Sequence, residues 1–334
     1  MVEPFLTFSP NRKLRKILWT AWTQRGALDS TRNNTAIAVE ILRLRRRMGH
    51  LHGCPTFAHY QCQDRMAQTP SRVMELLETV WEKAKESANR ERETLETYVR
   101  AHEGPNSEVE SVEFWDWRYY AEKVRQERYN FDQTKLKPYL SLTDATAALF
   151  DVSYKLFGLE YIERPDIPLY HPDAKLYEVR EGEKLVALFI HDNFARPYKS
   201  SGAWMSEYRS QHGNFVTGEN KMNGIPIISN NNNFAKGQGA TLLSMDDAST
   251  LFHEMGHAHH GMLSNVTYKR LSGTNVLTDF VELPSQLMEH WLEQPEVLQS
   301  FQHHETGESI PLELLDQLKA ADNFNNGFET VEYT

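Results

Sequence analysis

No run of about eighteen apolar residues occurs in the sequence, which argues against a membrane-spanning helix. Met1 to Lys13 have no basic start followed by an apolar run, so no secretory signal is read there. Cysteine is scarce: the 334 residues contain two, Cys54 and Cys62. They make no disulfide framework and, without a second Cys pair, no Cys-based metal site; they point to a reducing compartment. A basic excess is also missing, with 36 Lys and Arg against 46 Asp and Glu and a net charge of −10. No cationic surplus is available to neutralise nucleic-acid phosphates. The expectation is a soluble, cytoplasmic protein with neither a nucleic-acid nor a membrane partner.

Hydrophobic residues make up 40% of the chain and charged residues 25%, enough to build a core. Residues 13–53 read as helices, with Leu14, Ile17, Leu18, Ala21 and Trp22 at helical spacing, then Ile37, Ile41, Leu44 and Met48. The turn between them, Gly26 to Asn34, offers Asp29, Ser30, Asn33 and Asn34 as caps. The run Arg43, Arg45, Arg46, Arg47 reads as a solvated helix face. Thr69-Pro70-Ser71 starts a long, charge-rich helix that runs to about residue 102. A break follows at Gly104-Pro105-Asn106-Ser107. The aromatics of Phe114–Tyr120 read as helix-packing mass, and residues 143–158 as a helix ending at Gly158.

From about Ile167 the pattern changes. Leu176–Val179 and Leu185–Ile190 are β-prone runs around Glu181-Gly182-Glu183-Lys184, a hairpin signal. Ile225–Ser229 reads as a third strand, confined by Pro226 to an edge or to its own start. Asn230 to Asn233 read as an irregular loop. A helix follows, capped by Asp246 or Asp247 and ended by Gly261. The next helix is expected from about Thr278-Asp279, carrying Phe280, Val281 and Glu282. The whole reads as mainly α with a small β-sheet, with a helical region over 1–140 and a catalytic region over 141–334.

The chemistry concentrates in Leu251 to His260, which contains His253-Glu254-Met255-Gly256-His257. Two His four residues apart leave one face of a helix and can share a metal ion. Glu254 follows the first and can act as general base on the water that such a metal holds. A catalytic zinc site takes three protein ligands. The third-His pattern is excluded, because position 260 is His rather than Gly and position 263 is Leu. His259 and His260 read as packing or surface residues. The following segment offers Asp279, Glu282 and Glu289. Glu282 is favoured: flanked by Val281 and Leu283, it is expected on the core side, where a carboxylate needs a partner. Glu289 or Gln286 could hold a ligand His in place. One Zn²⁺ is the expected cofactor, although cobalt or manganese can occupy such a donor set.

His253 to Leu263, Ser272-Gly273-Thr274-Asn275, Asp279 to Gln286 and Glu289-His290-Trp291 together resemble the thimet oligopeptidase/neurolysin family of zinc metallopeptidases. The bacterial peptidyl-dipeptidase and oligopeptidase A branch is most similar. The resemblance extends back through Ser201–Met205, Trp115–Tyr120 and the Leu42-Arg43-Leu44 region. It implies a zincin-like, mostly helical shell around a channel that admits short peptides, with a short sheet beside the zinc helix. Residue by residue it implies His253, His257 and Glu282 as zinc ligands and Glu254 as the base. It also places the strand near Ile225–Ser229 at the sheet edge that lines substrate. Family members are about twice as long and carry a later His and Tyr segment that binds substrate and stabilises the oxyanion. His259 stands where the family has an apolar residue. The resemblance therefore implies the middle part of such an enzyme, incomplete at both ends. The expected function is zinc-dependent hydrolysis of short peptides, weak in this chain by itself. The alternative is an impaired fragment that binds zinc and peptide, or a complementary polypeptide through surfaces left exposed.

Overall fold

The computed structural model describes residues 2–27, 31–104, 109, 111–129, 133–213, 224–321 and 324–334. The caps expected at Asp29 and Ser30, and Pro105-Asn106-Ser107 of the expected break, lie outside them. In chain order the helices are α1 (Val2–Phe8), α2 (Arg12–Thr23), α3 (Thr35–Leu51), α4 (Phe57–Cys62), α5 (Pro70–His102), α6 (Trp117–Tyr129), α7 (Gln133–Leu136) and α8 (Leu142–Phe157). Five strands follow: β1 (Leu159–Glu163), β2 (Lys175–Glu181), β3 (Lys184–Phe194), β4 (Trp204–Arg209) and β5 (Ile227–Phe234). The chain closes with α9 (Met245–Met262), α10 (Leu283–Leu292), α11 (Pro295–Leu298), α12 (Leu312–Ala321) and α13 (Asn326–Tyr333). Two compact units form, one from 1–131 with 316–334 and one from 132–315.

In the first unit, α5 starts as its sequence dictates. The Thr69 hydroxyl accepts from the Arg72 amide, and Pro70 occupies the first turn, where its missing N–H costs nothing. The core joins α5, α6 and α13 through Leu95, Val99, Trp117, Tyr120, Val124 and Phe328. Trp117 stacks on Phe328 at 4.3 Å, so the aromatic cluster is packing mass. Beside it the fully buried Asp116 accepts from Arg12 and Arg15, each at 2.8 Å. α3 is different: Ile37, Ile41, Leu44 and Met48 lie exposed together with its arginines.

The second unit is a five-stranded sheet, order β1-β2-β3-β5-β4, with α8 and α9 packed on it. The β2–β3 pair is the expected antiparallel hairpin, and β3 runs parallel to β5. α8 ends at Gly158, whose φ of 69° lies in the left-handed region that favours glycine. Three expectations are corrected here. Asn230 to Asn233 do not form a loop; they continue β5, with Asn230, Asn231 and Asn232 buried between β3 and β4. Sheet pairing on both sides overrides the turn preference of asparagine. The strand near Ile225–Ser229 is consequently interior, and β4, which the pattern did not announce, is an edge among the described strands. Pro226 precedes β5, where its missing donor is harmless. Gly261 does not end its helix: α9 continues to Met262. A Cβ at Gly261 would lie 2.8 Å from Ile228 Cδ1, so glycine lets α9 approach β5 closely.

Candidate metal centre

α9 is capped by Ser244, two or three residues before the expected Asp246 or Asp247. Its hydroxyl accepts from the Asp247 amide at 3.0 Å and the Asp247 carboxylate accepts from the Ser244 amide at 3.0 Å, a capping box. Leu251, Phe252, Met255 and Ala258 bury one side of the helix. His253 and His257 lie one turn apart, ring centroids 4.9 Å from each other.

The turn before α10 supplies the carboxylate. α10 starts at Leu283, not near residue 278, because Pro284 belongs in a first helical turn. Glu282 therefore sits at the helix cap. Its Oε2 stands 3.3 Å from His253 Nε2 and 3.1 Å from His257 Nε2. The approach of the two helices depends on Gly256. A Cβ there would lie 2.5 Å from both Pro284 O and Ser285 Cα, leaving no room for any other residue. Ser285 Oγ donates to Glu282 Oε2 at 2.8 Å and steadies the carboxylate. The Glu282 side chain is about 50% exposed, contrary to the core-side expectation. It stands at the N-cap of α10, and Leu283 beside it is exposed as well.

His253, His257 and Glu282 each offer one ligand atom, and the three atoms lie within 4.8 Å of one another. Ligand atoms held at about 2.0–2.2 Å from a tetrahedral ion stand roughly 3.4 Å apart. The carboxylate-to-imidazole spacings of 3.1 and 3.3 Å match that. Two imidazoles and a carboxylate thus fit one divalent ion. Around them, Glu289 Oε1 lies 2.6 Å from His253 Nδ1, which leaves Nε2 for the ion. Gln286 makes no such bond. Glu254 is 5% exposed, and its Oε2 has no hydrogen-bond partner among the described residues. Burial pushes its carboxyl up to about 7, against the lowering effect of His253. The Glu282 charge adds to the rise, so Glu254 lies within the field of the cluster.

The neighbouring histidines stand apart from the cluster, as expected. His259 is buried, its Nε2 2.7 Å from Ser153 Oγ and 3.2 Å from Tyr161 Oη. Burial pulls its pKa down to about 3, so it stays neutral and ties α9 to α8 and β1. His260 is half-buried, and burial lowers its pKa too.

The family model for Peptidase family M3 matches residues 5–334. The chain belongs to peptidase family M3. It is similar to the dipeptidyl carboxypeptidase of Salmonella typhimurium, 36% identical over 99% of this chain and 48% of that protein. It is similar to oligopeptidase A of the same organism, 34% identical over 96% of this chain and 47% of that protein. The probable cytosolic oligopeptidase A of Arabidopsis thaliana is 30% identical over 97% of this chain and 46% of that protein. The chain spans about half the length of these curated relatives. M3 is a metallopeptidase family, which agrees with the mainly helical, zincin-like class and the small sheet read from the sequence. No described helix is long and apolar enough to cross a membrane.

Proposed function

We propose that this chain carries the zinc-binding and proton-transfer machinery for hydrolysing peptide bonds in short peptides. His253, His257 and Glu282 hold one zinc ion, and Glu254 is the general base. The observation that carries the reading is the convergence of three ligand atoms within 4.8 Å of one another in an M3 chain. Zinc, when bound, supplies Lewis acidity that polarises a scissile carbonyl and acidifies water. Glu289 keeps His253 in the tautomer whose Nε2 lone pair faces the cluster. Glu254, committed to no described hydrogen bond at Oε2, takes a proton from the attacking water and returns it to the leaving amine. Strand β4 packs beside α9 and, among the described residues, is an edge of the sheet. An extended peptide added there would be held by main-chain hydrogen bonds. A cytoplasmic place of action belongs to this reading and is supported by the name of the Arabidopsis cytosolic relative.

The test is turnover of an internally quenched short peptide by the zinc-loaded chain, with Glu254→Gln as control. The reading expects cleavage that the control loses by about 10²–10⁴-fold while keeping its zinc. Equal turnover in chain and control would overturn it.

A second reading is favoured by one observation. Ile37, Ile41, Leu44 and Met48 follow one face of α3 and are 41–59% exposed. Such a stripe fits a helix that binds a complementary polypeptide. Sedimentation of the chain with and without a polypeptide matching the rest of its relatives tests this. Co-sedimentation lost in Ile41→Glu supports it, and separate sedimentation of the two contradicts it.

A further inference from the structure

A cavity of about 490 Å³ lies in the second unit, lined by α8, β2, β3 and the 236–241 segment. It includes none of His253, Glu254, His257 and Glu282. Its volume is that of a small-molecule site, which typically runs about 300–1,000 Å³. Phe150, Tyr177 and Phe194 give it an apolar wall.

Its charges are balanced. Lys175 Nζ lies 3.1 Å from Glu163 Oε2, and Lys236 Nζ lies 2.6 Å from Asp173 Oδ1; all four residues line the cavity. A simple anion or cation would answer one sign and strand the other. A wholly apolar ligand would answer neither. The lining also holds His191, 1% exposed, whose Nε2 has no hydrogen-bond partner among the described residues. Burial among Lys175 and Lys199 keeps this imidazole neutral, so it can donate or accept one hydrogen bond.

We propose that this cavity binds a zwitterionic small molecule of the free amino acid or dipeptide class. The α-carboxylate pairs with Lys236 and the α-ammonium with Asp173 or Glu163. The side chain lies on the aromatic wall, and a polar group meets His191. The 236–241 segment also leads from β5 to Ser244, the cap of α9. It is pinned to the start of α8 by Leu142 N–H donating to Thr241 O and Leu243 N–H donating to Leu140 O, each at 2.8 Å. The ligand thus contacts the segment that enters the helix of the metal cluster. The inference rests on the cavity's own residues and not on the peptidase reading.

The experiment is calorimetric titration of the full chain, treated with chelator, with alanyl-phenylalanine. Its N-acetyl, C-amide form is titrated in parallel, and both are repeated on Lys236→Met and His191→Phe. The proposal expects one saturable site for the zwitterion. Affinity falls at least about tenfold for the capped form and for Lys236→Met, each of which removes charge-assisted bonds. His191→Phe also weakens binding. No binding, equal affinity for capped and free forms, or unchanged affinity in Lys236→Met would overturn it. Lys236 is exposed, so its variant decides the matter even if His191→Phe does not fold.

Discussion

Replacing Gly256 with alanine should loosen the metal cluster without touching a ligand. In an ordinary helix interior the change stabilises by roughly 0.8–1 kcal/mol, because alanine loses less backbone entropy. Here the new Cβ would stand 2.5 Å from Pro284 O and Ser285 Cα, about 0.9 Å inside ordinary contact, which begins at 3.4 Å. Both neighbours are backbone atoms at the start of α10, so no side chain can rotate away. α10 must retreat, and Glu282 precedes Pro284 by two residues. Overpacking of this kind costs typically about 1–3 kcal/mol. The helix gain offsets part of it, leaving a net loss of about 1 kcal/mol. The larger effect falls on the ion. A displacement approaching 1 Å spoils spacings of 3.1 and 3.3 Å. Zinc affinity is expected to fall about 10–100-fold, as when a supporting group of a metal site is lost. Urea unfolding with chelator present reads the first effect, and competition with a chromophoric chelator reads the second. A variant stabilised by about 1 kcal/mol, with unchanged zinc affinity, would refute the helix-approach argument.

Further outcomes follow from other contacts. Glu289→Ala frees His253 Nδ1 and should weaken zinc about 10–100-fold in the same competition assay, with little change in helical content. Asp116→Ala strands the buried Arg15 guanidinium and should cost about 3–5 kcal/mol in urea unfolding. Burial raises the pKa of Asp192, but hydrogen bonds from Arg196, Lys199 and Tyr170 outweigh it and hold the group at about 2. A depressed carboxyl stabilises the fold above its unfolded value near 4, and that contribution is lost as pH falls towards 2. Asp192→Asn should therefore flatten the acid side of the stability curve by on the order of 2 kcal/mol, read by unfolding from pH 6 to 2.

The sequence carried the site further than the fold around it. His253, Glu254 and His257 are fixed by helical spacing alone, a local rule that tertiary packing does not disturb. Pro284 already marked the start of α10, and the later start follows from giving that signal its weight. Glu282 is favoured in the sequence for a partly mistaken reason. Its apolar neighbours suggested burial, yet it reaches the histidines from a half-exposed helix cap. Asn230 to Asn233 have turn chemistry, and only the strands on either side make them β5. Gly256 and Gly261 look like any helical glycine in a sequence. Their role depends on α10 and β5 approaching from distant parts of the chain. His191 gave no signal, since a single histidine in a β-prone run has no pattern around it.

Zinc stoichiometry of the purified chain tests the central claim most directly. Measured by elemental analysis after dialysis against trace zinc, the chain should hold one zinc ion. Glu282→Ala and His257→Ala, folded by circular dichroism, should hold far less than one. A chain that binds no zinc, or variants that bind it as fully as the parent, would contradict the assignment of His253, His257 and Glu282.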